Sequence, residues 1–183
     1  MLSGIDEYLF FIFYELAGVN PLLGRIMVLI TNWSSRIFAV IYLAGLAVLL
    51  VRRSKKLIPY LLAPGAALIV VELIRYFYLR PRPFVALEIE SLINHDPTGS
   101  FPSRHAVGAF VISVVIWQIN KKTGCILFLL AAVTGLSRIM VGVHYPLDIL
   151  AGALLAIVTG LLAFTFQIKL PLGEDKRGES LKN

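Results

Sequence analysis

The sequence predicts an all-α, polytopic membrane bundle of five or six transmembrane helices, with an N-terminal helical arm at the interface. Three observations carry that expectation. Of the 183 residues, 58% are hydrophobic and only 15% charged, and the mean hydropathy is +0.82. A soluble domain of this length needs far more polar surface. Several apolar runs approach the roughly 20 residues that cross a bilayer. The basic residues sort by type between the two ends of those runs.

The elements follow in order. The opening residues, MLSGIDEYLF, lack a basic stretch and a small-residue cleavage site, so no signal peptide is expected. The stretch to residue 33 is apolar but interrupted by Glu15, Asn20, Pro21 and Arg25. It is read as two short interfacial helices broken at Gly18–Pro21, because neither half is long enough to cross; a single sixth span is the alternative. Spans are expected at about 34–52, 57–79, 102–119, 124–142 and 147–168. The first ends in VRRSKK, the second in RPRP, whose prolines stop a helix, and the third in NKK. One domain thus covers 1–170, followed by a polar tail over 171–183. Cys125 is the only cysteine, so no internal disulfide forms, and no Cys/His cluster suggests a metal.

Charge gives the direction. Arg52, Arg53, Lys55, Lys56, Lys121, Lys122, Lys169, Lys176, Arg177 and Lys182 share one side, which the positive-inside rule makes cytoplasmic. The other side holds Arg25, Arg36, Arg75, Arg80, Arg82, Arg104 and Arg138, together with His95, His105 and His144. Every lysine is inside and every outside cation is arginine. Arginine's planar fork binds phosphate in bidentate fashion and keeps its proton.

The outside residues form clusters. Arg75 and Arg82 lie about two helical turns apart, so they start on one face; Glu72, a turn before Arg75, is placed to pair with it. Snorkelling at a helix end is the plain alternative. Pro102-Ser103-Arg104-His105 puts a hydroxyl, a guanidinium and an imidazole at a helix N-terminus, where an anion is favoured. In SRIMVGVHYPLD, Asp148 follows His144 by about one turn and can fix one ring nitrogen, leaving the other as nucleophile or base. Ionisable groups at membrane depth are functional by default.

Taken together, the clusters resemble the three-part signature of the type 2 phosphatidic acid phosphatase superfamily, K-x6-RP, PSGH and SR-x5-H-x3-D. This chain has R-x6-RP from Arg75 to Pro83, PSRH from Pro102 to His105, and the full third block from Ser137 to Asp148. The resemblance implies that His144 attacks phosphorus to form a phosphohistidine. Asp148 would orient that ring, and His105 would protonate the leaving oxygen. Arg75, Arg82, Ser103, Arg104 and Arg138 would hold the phosphoryl oxygens. No metal or other cofactor is implied, because guanidiniums supply the positive field. Two departures stand out: Arg75 replaces the usual lysine, and Arg104 the usual glycine. Arg104 either contacts a second phosphate or crowds the pocket.

RPFV, the leucine-isoleucine pair before His95, and SFPS resemble the bacitracin-resistance type of undecaprenyl-diphosphate phosphatase within that superfamily. That likeness implies hydrolysis of a polyprenyl diphosphate to the monophosphate, outside the membrane, in cell-wall synthesis. Arg80, His95 and Asp96 are candidates for substrate discrimination, and Phe84, Phe101 and Tyr145 for the wall of a lipid access route; ordinary interfacial polarity and interfacial aromatics are the plain alternatives. The expected partner is a lipid phosphate or diphosphate, with no nucleic acid and no obligate protein partner. The alternatives are a phosphatidylglycerophosphate or phosphatidic acid phosphatase, a lipid phosphotransferase, and an anion-conducting transporter.

Overall fold

The structure is a computed structural model that describes residues 2–169, with side chains over 4–166. The polar tail 171–183, with Lys176, Arg177 and Lys182, lies outside the described residues, as does the Lys169 side chain. Among the described residues all regular structure is helical: α1 (Leu2–Val19), α2 (Pro21–Val51), α3 (Leu57–Phe77), α4 (Pro83–Ala86), α5 (Arg104–Ile119), α6 (Lys121–Met140) and α7 (Pro146–Lys169). Of these, α2, α3, α6 and α7 are long and apolar enough to cross a membrane, and α5 is a shorter apolar helix.

Helix α5 is the axis of the bundle, touching α2, α3, α6 and α7. Its residues Val107, Val111 and Val115 are buried among Ala63, Ala67, Ala131 and Ala156. Small residues on the surrounding helices allow that close approach. At 16 residues, α5 is about 24 Å long. It is shorter than a roughly 30 Å hydrocarbon layer and is shielded from lipid by its neighbours. Leu43, Leu62, Ile69, Leu129 and Leu154 on those neighbours are exposed. In water so much exposed aliphatic surface would drive association; against lipid it carries no such cost. Polar groups in the apolar region find partners. The Tyr42 and Tyr60 rings stack at 4.8 Å, and each hydroxyl donates to the other residue's carbonyl, at 3.3 and 2.8 Å.

Two boundaries differ from the sequence reading. Residues 21–33 are not a separate interfacial helix; they are the first turns of the 31-residue α2, about 46 Å long. The segment carries a helical spacing of its own. Gly24, Met27, Thr31, Ser34 and Phe38 form one buried stripe, and Thr31 Oγ1 meets Ser137 Oγ at 2.7 Å. The break itself falls at Asn20, whose side chain caps α2 by accepting from Leu23 N, with Pro21 in the first turn. In the second case, α3 stops at Phe77 and the chain runs extended from Tyr78 to Arg82. Arg75 and Arg82 therefore do not share a helical face.

Helix α1 lies across one end of the bundle. Asp6 meets the start of α7, Phe10 packs on Ala106, Ile139, Tyr145 and Ile149, and Ala17 on Met140, Val141 and Val143. The Tyr14 hydroxyl donates to Glu90 O at 2.6 Å, tying the arm to the 78–103 loop. The ends of α3 and α6, the starts of α5 and α7, and this loop all gather beneath α1. Arg52, Arg53, Lys55, Lys56, Lys121 and Lys122 lie at the opposite end.

Candidate active site

The third motif places its own histidine. Helix α6 ends at Met140, and the chain reverses through Gly142, whose φ of +86° suits glycine. The reversal brings the Val143 and His144 amides onto Arg138 O, at 3.2 and 3.3 Å. Pro146 then opens α7, and Asp148 in its first turn accepts from Tyr145 N at 2.9 Å. The same Oδ2 lies 3.4 Å from His144 Nδ1. On the other side of the ring, Arg82 Nη1 is 3.2 Å from Nε2. A guanidinium can only donate, so Nε2 accepts and the ring proton sits on Nδ1, facing Asp148. Burial, together with the charges of Arg138 and Arg82, holds the His144 ring well below its ordinary value, so it is neutral at pH 7.

Two arginines act on that ring: Arg82 contacts Nε2, and Arg138 lies within electrostatic range. Arg82 also donates to Val143 O at 2.9 Å and Asp96 O at 3.1 Å. Burial, and Arg75 nearby, pull its guanidinium down to about 10, still charged at neutral pH. Arg138 is 2% exposed, and its Nε and Nη2 have no hydrogen-bond partner among the described residues. Neither Arg82 nor Arg138 has a carboxylate within ion-pair distance among those residues. Buried donors left unpaired cost about 1–3 kcal/mol each, more when charged. Such groups persist where an anion is to arrive.

The second motif comes from α5. Ser103 caps the helix, accepting from Ala106 N at 3.4 Å, while its amide donates to Asp148 O at 3.1 Å. Its hydroxyl proton is left for another acceptor. His105, in the first turn, lies within electrostatic range of Arg138, Arg82 and His144. It lines a cavity of about 200 Å³ with Ser34, Phe38, Arg104 and Thr134, between α2, α5 and α6. His144, His105, Asp148, Arg82, Arg138 and Ser103 thus come together at one end of the bundle.

Other expectations change. Arg75 is buried but donates to the carbonyls of Gly99 and Pro102, so it holds the backbone that leads into α5 and adds charge beside Arg82. Glu72 pairs with Arg104, not Arg75, in a bidentate bridge of 2.6 and 2.5 Å, because α3 faces the start of α5 there. Arg104 is about half exposed and its fork is engaged on that carboxylate. Arg80, a candidate for substrate discrimination, instead bridges Asp6 at 2.6 Å and Asp148 at 3.0 Å. Tyr145 does not line a lipid route: it is buried beneath Arg80, whose guanidinium carbon is 3.9 Å from the ring centroid. Phe84 is half-buried against the α6 end, and Phe101 meets Tyr78 edge-on at 5.5 Å. His95 is half-buried within range of Arg82 and Arg138, and its ring is held below the ordinary value by burial and Arg82. Asp96 is exposed; its carbonyl, not its carboxylate, meets Arg82. Asp6 did not figure in the sequence reading. Its one signal there is an acid inside an apolar run.

This geometry has counterparts in known proteins. A family model described as the PAP2 superfamily matches residues 56–171. Undecaprenyl-diphosphatase BcrC of Bacillus subtilis (strain 168) is 40% identical over 154 residues, 84% of this chain and 79% of that protein. The bacitracin transport permease protein BcrC of Bacillus licheniformis is 44% identical over 90 residues, 49% of this chain and 44% of that one. Aquifex aeolicus LpxE superposes with a TM-score of 0.76 at 30% identity, over 88% of this chain and 95% of that one. A PAP2-type phosphatidylglycerolphosphate phosphatase from Bacillus subtilis shares the fold, with a TM-score of 0.76 at 23% identity. The matched residues include the arginines, both helix starts and the His144–Asp148 pair, and the chain is a multi-pass membrane protein belonging to the PAP2 superfamily.

Proposed function

We propose that the chain hydrolyses a polyprenyl diphosphate, undecaprenyl diphosphate by its likeness to BcrC of Bacillus subtilis, to the monophosphate and inorganic phosphate. The observation that carries the chemistry is the pairing of a neutral imidazole with unpaired arginine donors. Nε2 of His144 faces the Arg82 guanidinium, which lacks a carboxylate, with the unpaired Arg138 donors within electrostatic range, while Nδ1 faces Asp148. Nε2 attacks the terminal phosphorus, and the bond from that phosphorus to the bridging oxygen breaks. His105 gives a proton to the departing monophosphate oxygen. Arg82 moves from Nε2 to the phosphoryl oxygens as the new bond forms, joined by the free donors of Arg138 and the Ser103 hydroxyl. Water then attacks the phosphohistidine, His105 takes its proton, and phosphate leaves with Nε2 restored.

The site is read as facing outside the cytoplasm, because the lysine-rich end of the bundle is opposite it. The lipid tail remains in the bilayer while the phosphates reach the arginines from the interface. Purified protein should release inorganic phosphate from undecaprenyl diphosphate with a chelator present, faster than from phosphatidylglycerophosphate. Preference for the glycerophospholipid would move the substrate assignment. Passage of an anion without any phosphate release would favour a transporter, the role in the name of the Bacillus licheniformis relative. Orientation is tested separately, in a Cys125→Ser background. A cysteine in place of His95 should react with an impermeant reagent on intact cells, and labelling only after lysis would reverse it.

A further inference from the structure

Asp6 comes from the first helix, far in sequence from every motif. Yet it is 1% exposed and both carboxylate oxygens are used. Oδ1 accepts from Leu147 N at 2.9 Å, capping the start of α7, and Oδ2 accepts from Arg80 Nη2 at 2.6 Å. The same guanidinium gives Nη1 to Asp148 Oδ1 at 3.0 Å and lies over the Tyr145 ring. Asp148 then has Oδ2 left for Tyr145 N and His144 Nδ1. One arginine is therefore shared between two buried carboxylates, one at the dyad and one on the arm.

We propose that Asp6 is a positioning residue for the His144–Asp148 pair: by holding half of the Arg80 fork, it keeps Arg80 off the Asp148 oxygen that His144 needs. This rests on the hydrolase reading above. Arginine forks prefer to take both oxygens of a carboxylate. Freed of Asp6, the Arg80 fork turns onto Asp148 and takes both of its oxygens. His144 Nδ1–H then loses its acceptor, and the ring loses both its fixed tautomer and its orientation. The N-terminal arm is in this sense part of the catalytic apparatus, although it never touches substrate.

Asp6→Asn separates this role from plain docking, because its amide oxygen still accepts from Leu147 N while the charge that holds Arg80 is gone. With soluble farnesyl diphosphate in nanodiscs, kcat should fall about tenfold or more. That is short of the ~10⁴ loss seen when a triad aspartate is neutralised outright. KM and the inhibition constant for orthovanadate should stay within about twofold, since the phosphate donors are untouched. Asp6→Glu, which keeps the charge, should recover most of kcat. Wild-type kcat in Asp6→Asn, or equal changes in KM and vanadate binding, would overturn the proposal. Ring ¹⁵N shifts of His144 read the same effect without turnover. Wild-type protein should show a single Nδ1-protonated tautomer and Asp6→Asn a mixture. If the wild type releases no phosphate, the hydrolase reading fails, and the unchanged or altered tautomer in Asp6→Asn still decides the role of Asp6.

Discussion

Replacing Arg138 by methionine should destroy activity without harming the fold. In the ligand-free protein, Nε and Nη2 of Arg138 are buried donors with no partner among the described residues. Each such donor costs about 1–3 kcal/mol. Methionine fills similar length with no polar atom, and exchanging buried charge for an apolar residue is often neutral or stabilising. The variant should therefore melt at the same temperature or a few degrees higher, at roughly 2–4 °C per kcal/mol for a chain of this size. In the transition state the two donors make charge-assisted bonds to phosphoryl oxygens, worth roughly 1.5–3 kcal/mol each. Losing both removes about 3–6 kcal/mol, or roughly 10²–10⁴ in kcat/KM. Arg138→Lys restores a point charge but not the fork, so it should recover only part of that loss. Phosphate release in nanodiscs gives the rate, and tryptophan fluorescence on heating gives the stability. Orthovanadate should raise the melting temperature of the wild type but not of Arg138→Met. Retained kcat/KM, or activity lost together with a large drop in melting temperature, would refute the reasoning.

Other expectations are shorter. If Arg104 leaves Glu72 for the second phosphate of a diphosphate, Arg104→Gly should slow diphosphate hydrolysis about tenfold, the value of roughly one lost charge-assisted bond. It should spare a lipid monophosphate, and an equal effect on both substrates would return Arg104 to a structural pairing with Glu72. Acidification should destabilise the protein. Burial and neighbouring arginines hold His144 and His95 below their ordinary values in the fold. The unfolded chain therefore binds more protons as pH falls through about 6.5, and the stability present above that pH is lost. Melting temperature should fall from pH ~7.5 to ~5.5 and fall less in His144→Gln; a flat or opposite profile in the wild type would contradict this.

What the sequence could reveal depended on distance along the chain. Helices α3, α5, α6 and α7 were legible from apolar runs with proline or basic ends. Each motif also folds its own residues: Arg138 O receives the His144 amide, and Ser103 caps α5. Pairings across helices were not legible. Spacing on α3 points Glu72 at Arg75, yet the neighbouring helix supplies Arg104. Arg80 reads in the sequence as a substrate-facing or interfacial cation, and only the fold brings Asp6, from the far end of the sequence, onto its fork. Asn20, Pro21 and Arg25 read as interruptions of an apolar run, whereas the stripe of Thr31 and Ser34 that faces Ser137 and the bundle interior is visible only in the fold.

The central claim is that His144 carries the phosphoryl group on Nε2, since Nδ1 is committed to Asp148. The most direct measurement is to quench the enzyme in base during turnover of a ³²P-labelled diphosphate and map the labelled peptide. The account predicts an alkali-stable, acid-labile phosphate on His144, bonded at Nε2 and absent in His144→Gln. A label on His105, attachment at Nδ1, or turnover without a phosphoenzyme would contradict it.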